Sequence, residues 1–135
     1  MATMKTPVAA TLAVMMTCGL AIADPTGTYD VEGMNPDNGR TYHGTVTVRR
    51  TGQTYSVVWD IAGSRYIGTG LGATIAGGQY TVGPASADNT TLSIGYVSGR
   101  TFGQAFYIQQ PDGSWSGIWT YGGSKLVSTE EWYPR

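Results

Sequence analysis

Five aromatic side chains, Tyr55, Trp59, Trp115, Trp119 and Tyr121, are the strongest candidates for chemistry in this sequence, and the chemistry they suggest is binding. Tyrosine and tryptophan bring a large apolar body with a polar tip, so a cluster of them either fills a core or holds a ligand that partners the indole N–H and phenol O–H. Residues for catalysis are sparse. His43 is the only histidine, and the only cysteine, Cys18, lies in an apolar run near the amino end. A nucleophile with an adjacent base is therefore hard to assemble, and a histidine-based zinc site would need carboxylates gathered from distant segments. Asp30 and Glu32 share one face of a short alternating segment, whereas glycosidase carboxylates flank a cleft. Asp60 is a further candidate, but its counterpart sixty positions later is Thr120, so the repeat does not require an acid there. No catalytic residue, metal site or cofactor is expected.

The elements that must position these aromatics come from a duplication. The stretch Thr45 to Gly70 superposes without a gap on Ala105 to Glu130, sixty positions later, matching Trp59 with Trp119, Ser56 with Ser116, Gly63 with Gly123, Ser64 with Ser124 and Thr69 with Thr129. Other pairs keep their chemistry: Val48 with Ile108, Tyr55 with Trp115, Val58 with Ile118. Each copy reads as three strands joined by two turns. Tyr55, Val57, Trp59 and Ile61 form the cleanest alternating row, and Trp115, Gly117, Trp119 and Tyr121 repeat it.

The remaining segments follow the same period of two. Thr28 to Glu32 and Tyr42 to Arg49 alternate, separated by Asn35-Pro36-Asp37-Asn38-Gly39, whose proline and Asn-Gly pair suit a hairpin turn. From Arg65, Tyr66, Gly68 and Gly70 fall in one phase and Ile67, Thr69 and Leu71 in the other, which leaves the inward face open; glycines there make room for a bulky neighbour such as Trp59 or bend the strand. Residues 72 to 90 are the least regular, with a short strand at Gln79 to Val82, and are the expected place for a gate or binding loop. Asn89-Thr90-Thr91 matches a glycosylation acceptor, a pattern that arises by chance too often to carry weight. Strands at Leu92 to Tyr96, Phe102 to Gln109, Trp115 to Tyr121 and Lys125 to about Trp132 complete the chain.

Eight or nine strands at roughly ten-residue spacing, with no helical segment, predict an all-β fold. The duplication favours a single small antiparallel β-barrel of about eight strands, because closure leaves no unpaired edge. Such a barrel is either filled by side chains or holds one small ligand.

At the amino end, Lys5 precedes an apolar run from Val8 to Leu20 that closes on Ala21-Ile22-Ala23. Residues 1–23 read as a signal peptide and 24–135 as the barrel domain, with a secreted or periplasmic location and no transmembrane segment once the signal is removed. Lipidation at Cys18 is the alternative, with Met15, Met16 and Thr17 a poor lipobox before it. Removal reduces the chain from 135 residues to 112, enough for one domain. No cysteine remains in it, so packing and strand pairing must supply the stability. Charges are scattered, and no basic run suggests nucleic acid.

The spaced residues Tyr42-x-Gly44-x-Val46-x-Val48, Gly52-x-x-Tyr55-x-Val57-x-Trp59-x-Ile61, Gly68-x-Gly70 and Asp112-Gly113-x-x-x-Gly117-x-Trp119, ending in Thr129-Glu130, resemble a group of small exported bacterial proteins labelled fibronectin-binding protein. The resemblance covers nearly the whole of residues 24–135 and implies an exported binding module with an extracellular protein as partner. Gly27-Thr28-Tyr29 resembles the first strand of lipocalins and avidins at the level of architecture, which implies a small hydrophobic or aromatic ligand. Neither supplies a catalytic residue. The expected function is non-enzymatic binding through the barrel, with an enzyme inhibitor or a hydrolase acting through loop residues as the alternative.

Overall fold

A computed structural model of the chain describes residues 23–135, so residues 1–22 of the expected signal peptide lie outside the described residues. Nine strands follow in order: β1 Gly27–Met34, β2 Thr41–Thr51, β3 Thr54–Ile61, β4 Ser64–Ala76, β5 Gln79–Gly83, β6 Thr91–Ser98, β7 Thr101–Gln109, β8 Trp115–Tyr121 and β9 Ser128–Pro134. Eight of them close an antiparallel barrel in which each strand pairs with the next, β4 passes directly to β6, and β9 returns to β1 with Val31 opposite Trp132. No helix among the described residues is long and apolar enough to cross a membrane.

The period-two pattern explains the core. In β3, Tyr55, Val57 and Trp59 are buried while Asp60 is exposed, and the inward rows of β1, β2, β6 and β7 add Val31, Val46, Val48, Leu92, Ile94 and Tyr107. β4 settles its phase the same way: Tyr66, Gly68 and Gly70 face inward, and Ile67 and Leu71 face out. A Cβ on Gly68 would lie 2.7 Å from Ile94 Cγ2 and 3.1 Å from Trp59 Cζ3, so glycine is what lets the indole lie against this strand.

In the segment 72–90 the expected short strand is present as β5, while the residues before it are strand and not loop. β4 runs on to Ala76 and folds back through Gly77-Gly78 into β5, whose partners are Gly72 to Ala76. Residues after β5 then cap one end of the barrel. Tyr55 Oη lies 2.7 Å from Asn89 Oδ1 and 2.8 Å from the Ser86 carbonyl, and Ser86 N donates to Asn89 Oδ1 at 3.0 Å. Asn89, the residue of the glycosylation pattern, is buried inside this cap.

The duplication survives in the fold with two shifts. Trp59 faces Val46 while Trp119 faces Ala105, so the first strands of the two copies correspond at an offset of 59, one less than the ungapped match. The extra residue lies in the turn between Gln109 and Trp115. Val48 therefore corresponds to Tyr107, and Ile108 faces outward and exposed. Gly44 and Gly103 agree with this alignment: a Cβ on either would lie 2.3 or 2.2 Å from the carbonyl oxygen of Asp60 or Thr120, which are themselves sixty apart. In the third strands Trp59 faces Tyr66 and Trp119 faces Ser128, which sets Glu130 where the first copy has Gly68.

The exterior is two-faced. Over β1 to β3 it presents Thr28, Asp30, Glu32, Arg49 and Asp60, whereas over β4 and β6 to β8 it presents Ile67, Leu71, Val97, Phe106 and Ile118. Register makes the second group nearly continuous, with Ile67 opposite Val97 and Phe106 opposite Ile118.

Candidate functional site

Glu130 is the one acidic side chain buried in the barrel among the described residues, 4 % exposed, on the inward phase of β9 between Ser128 and Trp132. Four neutral donors converge on it. Oε1 accepts from Trp59 Nε1 at 2.9 Å, Trp132 Nε1 at 2.6 Å and Tyr107 Oη at 2.9 Å, and Oε2 accepts from Tyr42 Oη. No cation joins them: the ion pairs among the described residues, Arg65 with Asp60 and Arg135 with Asp30, lie on the exposed surface. Hydrogen bonds to a carboxylate are stronger than neutral ones, and burial without them would be costly.

Above this carboxylate the barrel is hollow. A cavity of about 220 Å³ opens at the end formed by the β1–β2, β3–β4, β6–β7 and β8–β9 turns; Trp59, Trp119, Tyr42, Tyr66, Tyr96 and Tyr121 wall it, Tyr107 and Glu130 floor it, and Asn35, Ile61, Ala62 and Ser64 form its rim. The walls brace one another edge to face. Trp119 meets Tyr121 at 4.9 Å and 79°, Trp59 meets Tyr96 at 5.8 Å and 63°, and Tyr42 meets Trp119 at 6.2 Å and 64°. Trp119 Nε1 is buried without a hydrogen-bond acceptor, although it lies near enough to Tyr42 to favour that residue's phenolate slightly. At the rim, the two-residue turn after β3 needs positive φ at both positions, and Ala62 adopts it at 51° beside Gly63 at 80°. An alanine there costs about 1 kcal/mol relative to glycine.

The candidates singled out from the sequence divide between the two ends. Trp59, Trp119 and Tyr121 line the cavity. Tyr55 and Trp115 are fully buried toward the capped end, where Tyr55 is held by Ser86 and Asn89, and Trp115 Nε1 has no hydrogen-bond acceptor. His43 is exposed on the outer face opposite Glu32, Asp30 pairs with Arg135, and Asp60 pairs with Arg65, so none of these reaches the cavity. Among the described residues no group of three or more histidine, cysteine or acidic side chains could hold a metal ion. Glu130, Tyr42, Tyr66, Tyr96 and Tyr107 were not among the expected site residues. The signal for Glu130 was an acid two residues before a tryptophan on an alternating strand, in the phase that must face inward.

Burial is the first cause that lifts the hydroxyl pKa values of Tyr42 and Tyr107, and the charge of Glu130 is the second. Tyr29, Tyr55, Tyr96 and Tyr121 are also raised, again chiefly by burial. A raised folded-state pKa means that above about pH 10 the folded chain holds protons that the unfolded chain has lost. This contribution is complete below pH 10 and is lost as pH climbs toward the folded values. Urea midpoints should therefore fall above pH 10, with the tyrosinate absorbance of these six residues arriving together with loss of the barrel's circular dichroism. Gradual ionisation of these tyrosines near pH 10 in an intact barrel would contradict the burial described.

No protein-family model matches this chain, and no curated protein matches its sequence.

Proposed function

We propose that this chain is an exported, non-enzymatic binding module that takes a small ligand into the open end of its barrel. The observation that carries the reading is the cavity itself: one end of the barrel is packed and capped by Asn89, while the other keeps about 220 Å³ among aromatic side chains with a carboxylate at its floor. Binding sites are typically concave, largely apolar and provided with a few placed polar groups. At about 220 Å³ the cavity falls below the usual range of sites for drug-sized molecules, so the ligand is small. The carboxylate already accepts four hydrogen bonds from neutral donors, and the only histidine is outside, which leaves little for acid–base chemistry. The apolar run ending at Ala21-Ile22-Ala23 supports export to the periplasm or beyond.

A second reading, contact with an extracellular protein, is favoured by the exposed stripe of Ile67, Leu71, Val97, Phe106 and Ile118, since large apolar patches on a monomer often mark interaction surfaces. Indole fluorescence separates the two, because Trp59 and Trp119 border the cavity and none of the four tryptophans lies on that stripe. Titration with small hydrophobic and aromatic molecules should give a saturable change that is lost in Trp119→Leu with the fold intact. Absence of any small-molecule response, together with saturable binding of an extracellular-matrix protein, would overturn the cavity reading in favour of the outer face.

A further inference from the structure

We propose that the ligand is an organic cation, an amine or quaternary ammonium compound, held over the faces of the cavity's aromatic rings with Glu130 as its counter-charge. This rests on the cavity reading and narrows it. Four donors surround the carboxylate and all are neutral, so they spread its charge without cancelling it. The two ion pairs formed among the described residues are on the outer surface. The floor of the cavity therefore carries a net negative charge in a poorly solvated setting, where a charge acts with less screening than in water.

The donors are also unevenly shared. Among the described residues Oε1 has three, whereas Oε2 has only Tyr42, a cavity-wall residue. An ionised carboxylate offers about four lone-pair sites, two on each oxygen, so Oε2 keeps capacity for an ammonium N–H or for close approach of a methylated head. Above it, Trp59, Trp119, Tyr42, Tyr66, Tyr96 and Tyr121 present electron-rich rings, the surface on which cations are stabilised by the ring quadrupole. An anion would meet this carboxylate with no compensating positive group. A neutral molecule would strip the remaining water from the charge and return at most a hydrogen bond, with no counter-charge.

The two copies differ at this level of the barrel: strand register places Glu130 where the other copy has Gly68, and Trp59, seated against that glycine, donates across the interior to Glu130.

The test uses three probes of nearly equal shape and different charge: choline, 3,3-dimethylbutan-1-ol and 3,3-dimethylbutanoate, titrated into the purified protein by calorimetry and indole fluorescence. Choline should bind at least tenfold more tightly than the neutral alcohol, and the carboxylate probe should show no saturable binding. In Glu130→Gln, checked for fold by circular dichroism, the preference for choline over the neutral alcohol should shrink to less than threefold. If that variant does not fold, the ranking of the three probes on the native protein decides alone. Equal affinity for choline and its neutral analogue, or tight binding of neutral aromatic molecules with none of choline, would overturn the cation assignment and leave the cavity reading standing. A choline preference that persists in a folded Glu130→Gln would overturn the role given to the carboxylate. No saturable response to any of the three probes, nor to the small hydrophobic and aromatic molecules, would overturn both readings.

Discussion

Glu130→Leu is expected to lower the free energy of unfolding by about 3 kcal/mol or more, because it leaves Trp59 Nε1, Trp132 Nε1 and Tyr107 Oη buried without an acceptor, at about 1–3 kcal/mol each. Tyr42 is spared, since its hydroxyl borders the open cavity and can turn to water. Relief of the carboxylate's own desolvation works in the opposite direction. It does not win here, because the donors sit on three different strands and cannot re-pair with one another without breaking the barrel's packing. Glu130→Gln separates acceptor from charge. Its amide oxygen can take the place of Oε1 and Tyr42 can rotate to accept from the amide, so the loss should stay below about 1.5 kcal/mol. Urea midpoints at unchanged slope are the readout. A leucine variant as stable as the parent would show that these donors have other partners.

The second large effect belongs to Trp59→Ala. This indole is 4 % exposed, packs edge to face on Trp132 at 6.0 Å and on Tyr96 at 5.8 Å, and donates to Glu130. Truncating a core tryptophan costs about 3–5 kcal/mol through lost burial and the space left behind. Ser56→Ala, on the opposite phase of the same strand, should change stability by no more than about 0.5 kcal/mol. Because successive strand side chains point to opposite faces, the contrast between neighbouring phases reads the orientation of β3 directly. Equal midpoints for the two variants would mean that the strand is turned the other way.

The fold was legible where physics is local. Alternation in β1, β2, β3, β6 and β8 identifies those strands and their inward rows, and Asn35 to Gly39 identifies the first hairpin, whose Gly39 has φ 70°. What local pattern cannot convey is register. The ungapped match of the two copies conceals one extra residue in the turn before Trp115, and a one-residue slip exchanges the faces of a strand, which is why Ile108 looked like a partner of Val48 and is not. The same limit hid the site. Tyr42, Tyr107 and Glu130 lie on β2, β7 and β9, and only closure of the barrel brings them together. Tyr55 and Trp115 looked equivalent to Trp59 and Trp119 as aromatics of one row, yet four residues along a strand span about 13 Å, enough to put them at the capped end. The segment 72–90 looked irregular because its glycines and Asp88-Asn89 mark turns; its pairing with β4 and its role as a cap depend on Tyr55, far away in sequence.

The claim that the open end of the barrel is a binding site is tested most directly by following the four indole N–H signals in a ¹H–¹⁵N correlation spectrum during titration with choline. Trp59 and Trp119 wall the cavity and Trp132 shares the carboxylate at its floor, whereas Trp115 is buried toward the capped end. The expected result is a saturable shift of Trp59, Trp119 and Trp132 with Trp115 unmoved. A titration that shifts Trp115 as much as the others, or a spectrum in which neither choline nor the small hydrophobic and aromatic molecules shift any of the four, would contradict the account.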